Sequence, residues 1–216
     1  MKNLILVGTL ALILGACGRN NDPVADTRES VEDPALQMKD FQGKCQLTPI
    51  DAVITGILTG GDAIVKSART QYRFEGNMAF RKTLVYTTND CSGEIAARFI
   101  ESGEFDIKPN ARTTESATHI DLNFRQLMVS AQSAAGVEAA NSLILCGSNQ
   151  WVVGQEVDAT TKAADLNCYS AQVPRQVANI YKIENSILLM GTASKDEVDA
   201  SGRPNVLDRS APYEAL

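Results

Sequence analysis

From Gln71 onward the apolar side chains recur at every second position, and that period constrains the architecture more than any other feature of the chain. In QYRFEG, Tyr72 and Phe74 alternate with Gln71, Arg73 and Glu75. Gly76-Asn77 is a hairpin turn signal, and Met78, Phe80, Leu84 and Tyr86 then fall on one face of the following segment. Ile95, Ala97 and Phe99 continue the alternation, as do Phe105 and Ile107, and Ile120, Leu122 and Phe124 oppose His119, Asp121 and Asn123. Leu143 to Leu145, WVVGQEV, and Tyr181 and Ile183 turning through Glu184-Asn185-Ser186 into ILLMG complete the series. A strand of period two has one face to bury and one to leave in water. Roughly eight to ten such strands with little helix between them predict a mainly β protein built as an antiparallel barrel or sandwich, not a parallel α/β sheet.

One helix precedes the strands. Thr48-Pro49 is an N-cap followed by a first-turn proline, and Ile50, Val53, Ile54, Ile57 and Leu58 keep helical spacing until Gly60-Gly61 stops them. The surrounding GILTGGDA lacks the Lys-Ser/Thr of a phosphate loop. SAQSAAGVEAAN, at residues 130–141, reads as a weak helix or loop.

The N-terminus has a different character. Lys2 is followed by an apolar run from Leu4 to Leu14, the shape of a secretory signal. As a helix this run reaches about 16 Å, half of a ~30 Å hydrocarbon core, so it is too short to remain as a membrane span. Leu14-Gly15-Ala16-Cys17 then resembles the lipobox of bacterial lipoproteins. The resemblance implies removal of residues 1–16, diacylglycerol on the Cys17 thiol, and attachment to the membrane through lipid. Each buried CH₂ contributes ~0.8 kcal/mol, so two or three acyl chains make a stable anchor. Gly18 stands where an inner-membrane lipoprotein of a Gram-negative cell commonly carries Asp, so the resemblance implies outer-membrane sorting if the source is Gram-negative. Residues 17–40 hold Asp22, Asp26, Glu29, Glu32 and Asp33 with two prolines and few apolar side chains, and are expected to be a flexible acidic tether. Residues 41–216 would form one domain, enough chain for a real core.

The formal net charge is −6, and no Lys/Arg cluster could neutralise a run of phosphates, so a nucleic-acid partner is not expected. Of five cysteines, assigning Cys17 to lipid leaves Cys45, Cys91, Cys146 and Cys168. In an oxidising envelope these read as two disulfides. Three pairings are permitted; Cys45 with Cys91 and Cys146 with Cys168 is preferred because each staples neighbouring segments. With a single histidine and no CxxC, neither a metal site nor a cofactor is expected.

Gly43-Lys44-Cys45, the short helix, the up-and-down strands, TNDCSG at a hairpin, WVVG, IYKIENSILLMG and the closing GRPNVLD resemble, over Phe41 to Tyr213, the lipocalin-like or calycin domains of bacterial lipoproteins. The resemblance implies a closed up-and-down barrel with one short N-terminal helix, and binding of a small amphipathic ligand by the barrel interior or rim. The rival is an interaction or structural lipoprotein, an adhesin or inhibitor, whose barrel is filled and whose partner is another envelope protein.

The candidate ligand residues are Tyr72, Phe74, Phe80 and Trp151 as aromatic lining and Lys82, expected on the inner wall, as a cation for an anionic head group. No catalytic constellation is visible: His119 lies on the polar face of its strand, and no G-x-S-x-G elbow occurs. Asp196, Glu197 and Asp199 read as a solvated acidic loop rather than a cation site. The final DASGRPNVLDRSAPYEAL has no sustained period and is expected to lie over the domain as a tail, with Arg203 either solvated or closing one barrel end against a carboxylate.

Overall fold

A computed structural model describes residues 33–47, 65–113, 115–169, 171–192 and 198–216. The lipobox with Cys17, the expected helix after Thr48, and Asp196 and Glu197 lie outside these residues. Along the described chain run β1 (Asp40–Gly43), β2 (Ser67–Glu75), β3 (Met78–Tyr86), β4 (Ile95–Arg112), β5 (Thr118–Ala131), α1 (Ala134–Ser142), β6 (Glu156–Asp158), β7 (Arg175–Glu184), β8 (Ile187–Met190) and β9 (Tyr213–Ala215). All pairings between them are antiparallel, and β1 pairs with both β2 and β9. With β4 joined to β5 and β5 to β7, eight strands close into a barrel in up-and-down order. β6 stands outside this ring and extends the far half of β5. Closure leaves those eight strands no unpaired edge to offer another chain.

The turn signals act as expected. Gly76 takes a φ of +58° between β2 and β3, and Asn185 and Ser186, at +53° and +66°, turn β7 into β8. Two successive left-handed residues match the right-handed twist of a tight hairpin.

Register decides which face is inside. Tyr72 lies opposite Arg81 and Phe74 opposite Ala79; Arg81 in turn lies opposite Glu101, and Glu101 opposite Leu127. The inner face of β3 is therefore Ala79, Arg81, Thr83 and Val85, not the more apolar face of Met78, Phe80, Leu84 and Tyr86. Leu84 and Tyr86 are buried outside the barrel instead, in a satellite cluster with Ile95 and the Cys45–Cys91 bridge. Lys82 thus sits on the outer wall, contrary to the inner position expected from the sequence.

The interior is packed from both ends. At one end Ala68, Val85, Ala97, Phe99, Val129 and Ala131 meet side chains from the excursion between β5 and β7, among them Leu145, Trp151 and Tyr169. That excursion carries α1, capped by Ser133, whose hydroxyl accepts from the Gly136 amide. Gly136 is required by packing: a Cβ there would stand 1.9 Å from the Ala96 carbonyl oxygen of β4. The Cys146–Cys168 bridge staples the rest of the excursion. At the other end Phe74, Phe105, Ile120, Leu122 and Leu188 pack with Leu36.

Two expectations change. Residues 33–40, read as tether, dock on the barrel: Leu36 is fully buried, the Met38 amide donates to the Phe74 carbonyl, and Tyr181 donates to Asp33 at 2.8 Å. Too polar to form a core of its own, the segment places its one leucine in a core made by others. The C-terminal segment contributes β9, the strand that closes the barrel, although three residues are too few to show a period. Helix α1 forms from the stretch whose sequence reads as a weak helix or loop.

Loop entropy ranks the two bridges similarly. Replacing Cys146 and Cys168 by serine should lower unfolding free energy by about 3 kcal/mol, and the Cys45/Cys91 pair by about 4 kcal/mol. Calorimetric melting of the two double variants, each against the parent chain, checks this.

Candidate functional site

Midway along the barrel the apolar lining is interrupted by charge. Glu101 of β4 is 0% exposed. Its carboxylate accepts from the Tyr169 hydroxyl at 2.7 Å, from Arg175 Nε and Nη2 at 2.9 and 3.0 Å, and from an Arg81 Nη at 3.3 Å. Three elements and one loop converge here: β3 supplies Arg81, β4 Glu101, β7 Arg175, and the excursion Tyr169. Tyr169 stacks on Phe99, and the Arg175 guanidinium lies 5.8 Å from the Phe124 ring centroid and 5.9 Å from that of Tyr169. Tyr72 and Tyr213 meet edge to face beside this group. Burial raises the pKa of the Tyr72, Tyr169 and Tyr213 phenols, so all three stay protonated at neutral pH. Burial by itself would lower Arg81, but Tyr169 and Glu101 beside it outweigh that and raise it. A carboxylate removed from water is tolerated only where donors saturate it. The arrangement does that, and it ties the plug at one end of the barrel to both halves of the wall.

A second charged knot lies on the outer wall. Asp121 of β5 is nearly buried and bonded to both Lys108 and Arg203. Arg203 Nη1 also donates to the Asn179 carbonyl at 2.6 Å and the Ile120 carbonyl at 3.0 Å. Of the two roles left open for Arg203, pairing with a carboxylate is the one observed, and the contact straps the segment around Gly202 to the side of the barrel rather than closing an end. A polar cleft of about 510 Å³ runs along this strap beside Gln176 and Ser201. His119 faces outward nearby, opposite Lys108 in the ladder. Burial and the neighbouring Arg203 lower its pKa, so the ring is neutral at neutral pH. Asp199, from the acidic loop, accepts from the Ser201 and Arg203 amides and the Ser201 hydroxyl, which holds its carboxyl below the ordinary range. Among the described residues, no three His, Cys, Asp or Glu side chains are grouped to hold a metal.

The residues singled out from the sequence separate. Tyr72 and Phe74 point into the packed interior. Trp151 is 4% exposed in the plug, where its indole N–H is shared between the Leu145 and Ser148 carbonyls at 3.2 and 3.1 Å. Phe80 and Lys82 are half-buried on the outer wall and line a groove of about 240 Å³ with Asp40, Gln71, Arg73 and Ile100; Tyr72 and Glu75 also border it. Phe80 and Ile100 supply the apolar side of this groove, and Lys82, Arg73, Asp40 and Glu75 ring it with charges of both signs. The groove brings Phe80 and Lys82 together and leaves Phe74 and Trp151 elsewhere.

Sequence reasoning missed Arg81, Glu101, Tyr169 and Arg175. Glu101 had a usable signal, because it is in phase with Ala97, Phe99, Phe105 and Ile107 and so must share their face. Arg175 is likewise in phase with Tyr181 and Ile183. Arg81 was masked by the greasier opposite face of β3, and Tyr169 comes from a loop without period. No known family model matches the chain, and no curated protein matches it either.

Glu101→Ala would strand buried guanidinium charge and should cost about 3 to 5 kcal/mol, read as a lowered urea midpoint. Burial opposes ionisation of Asp121, but the hydrogen bonds from Lys108 and Arg203 prevail and lower its pKa. A depressed carboxyl stabilises the fold above its unfolded pKa of about 3.9, and the gain is lost as pH falls below that value. Asp121→Asn should therefore be less stable at pH 7 and show a flatter loss of stability below about pH 4, measured by urea unfolding across pH.

Proposed function

We propose that the chain is a lipid-anchored lipoprotein of a bacterial cell envelope, held through Cys17 in the outer membrane where the source is Gram-negative. In this reading its barrel is a non-catalytic module that binds a small amphipathic molecule on its wall. The observation that carries the binding role is the outer groove, in which Phe80 and Ile100 offer an apolar surface and Lys82 offers a cation for a polar head, beside Arg73 paired with Glu75. A site on the wall rather than along the axis is supported by the interior itself: Phe74, Phe99, Glu101, Leu127 and Leu188 are 0 to 1% exposed, so these inward side chains meet one another instead of a ligand space. Two disulfides suit an oxidising compartment outside the cytoplasm.

A second reading is the interaction or structural lipoprotein with a filled barrel. The same packing favours it, as do the exposed Ile144, Val152 and Val153 of the plug. Ile144 is held at a φ of +50°, a conformation that a β-branched side chain rarely adopts.

Two measurements separate the parts of the proposal. Bacteria fed an alkyne fatty acid should label the full chain, and Cys17→Ser should abolish both labelling and membrane fractionation; an unlabelled parent chain rejects the anchor. Lipids co-purifying with the parent chain should be identifiable by mass spectrometry and depleted about tenfold by Phe80→Glu with Lys82→Glu. A chain that repeatedly yields no bound amphiphile, while capturing another envelope protein through the Val152–Val153 tip, would transfer the function to the second reading.

A further inference from the structure

We infer that the opening in the barrel wall at the start of β7 is a binding site for a small monocarboxylate, received end-on by Arg175. This site is separate from the groove at Phe80 and Lys82 and does not depend on it.

A guanidinium presents two forks of paired N–H groups, and a planar carboxylate matches either one. Glu101 occupies the Nε/Nη2 fork of Arg175, with bonds of 2.9 and 3.0 Å. The remaining fork, made by Nη1 and the second Nη2 proton, is not the one Glu101 uses. The Arg175 side chain is 24% exposed while that of Glu101 is 0% exposed, so Arg175 spans from the buried cluster to solvent. It lines a recess of about 230 Å³ with Asn123, Phe124, Arg125, Pro174 and Gln176.

The recess follows from the strand pairing. β5 pairs with β7 only as far as Phe124↔Arg175, and with β6 only from Met128 onward. Arg125, Gln126 and Leu127 are left without a ladder partner on that side, Leu127 being met there by the Ala159 amide instead. On the other side the register of β5 with β4 steps from Gly103↔Phe124 to Ser102↔Gln126, skipping Arg125. This is a β-bulge, a device that opens pairing and re-aims side chains.

Three features select the ligand. The rings of Phe124 and Tyr169 and the bonds to Glu101 hold the guanidinium in place, so binding orders little that is not already ordered. Arg125 is 70% exposed and engaged at 3.4 Å with Glu104, which leaves one strong fork and therefore favours a single planar negative group over a phosphate dianion. Pro174 borders the fork with exposed apolar surface, and the volume lies below the roughly 300 to 1,000 Å³ of drug-sized sites, which suits a short-chain acid.

The test uses the full chain in detergent, titrated calorimetrically with butyrate, 1-butanol and inorganic phosphate and followed by amide NMR. Butyrate should bind saturably and shift the Asn123, Phe124, Arg125, Arg175 and Gln176 amides, with no saturable binding of butanol. Arg175→Lys keeps the charge but loses the fork and should weaken butyrate about tenfold or more. Should that variant fail to fold, Gln176→Glu, an exposed substitution placing like charge at the recess, should weaken it similarly. Lys82→Ala should leave butyrate affinity unchanged, whatever it does to amphiphile binding in the outer groove. No saturable butyrate binding, equal binding of butanol, tighter binding of phosphate, an unaffected Gln176→Glu, or loss confined to Lys82→Ala would each overturn the site.

Discussion

The Glu101 carboxylate organises the barrel because burial obliges the protein itself to supply its hydrogen-bond donors. Withdrawn completely from water, it requires donors on several sides, and it obtains them from Arg81, Arg175 and Tyr169. Those donors belong to β3, β7 and the plug, so satisfying one side chain fixes the relation of three parts of the molecule that are distant in sequence. An apolar interior would pack in many nearly equivalent ways. A buried carboxylate with directional donors allows far fewer, and the single register of the β2, β3 and β4 ladder is the one that brings those partners to it.

The same requirement explains the division of the core. Small inward residues, Ala79, Thr83 and Gly103, flank the charged layer on β3 and β4, leaving room for guanidinium groups and the Tyr169 ring. Bulk is displaced toward the two ends, where Phe74, Phe105 and Leu122 pack against Leu36, and Phe99 and Val129 pack against the plug. A barrel filled in this way exposes its chemistry on the wall. The outer groove, the strap held by Arg203 and the recess at Arg175 all occur where strand pairing ends, bulges or is crossed by another segment. The groove is lined by residues of β1 to β4, whereas the strap is an irregular segment held by the contact of Arg203 with Asp121.

Legibility in the sequence followed the strength of local signals. The hairpins at Gly76-Asn77 and Asn185-Ser186 and the strand alternation could be read from neighbouring residues, whereas the pairing of Cys45 with Cys91 and Cys146 with Cys168 was the preferred one of three that the sequence permits. The inner face of β3 could not, because Leu84 and Tyr86 are apolar for a reason outside the barrel: they pack under the Cys45–Cys91 bridge. Phe80 and Lys82 were singled out for an inner wall, yet they meet in a groove on the outer one. Glu101 was legible in principle by its phase with Phe99 and Phe105, since a charged side chain in step with core residues must find partners inside.

What the sequence determined by itself is the class of structure: period two forces strands, short polar turns force antiparallel neighbours, and an even set of four cysteines admits two bridges. Those are consequences of geometry within a few residues. Only the tertiary structure decided which face of each strand is interior, that residues 33–40 and 213–215 belong to the barrel, and that Arg81, Glu101, Tyr169 and Arg175 form one cluster. Closing the barrel couples residues as far apart in sequence as Phe41 and Ala215, and the charged cluster joins Arg81 to Arg175 across Glu101. No local pattern records that coupling, because burial of charge is settled by partners the chain supplies from elsewhere.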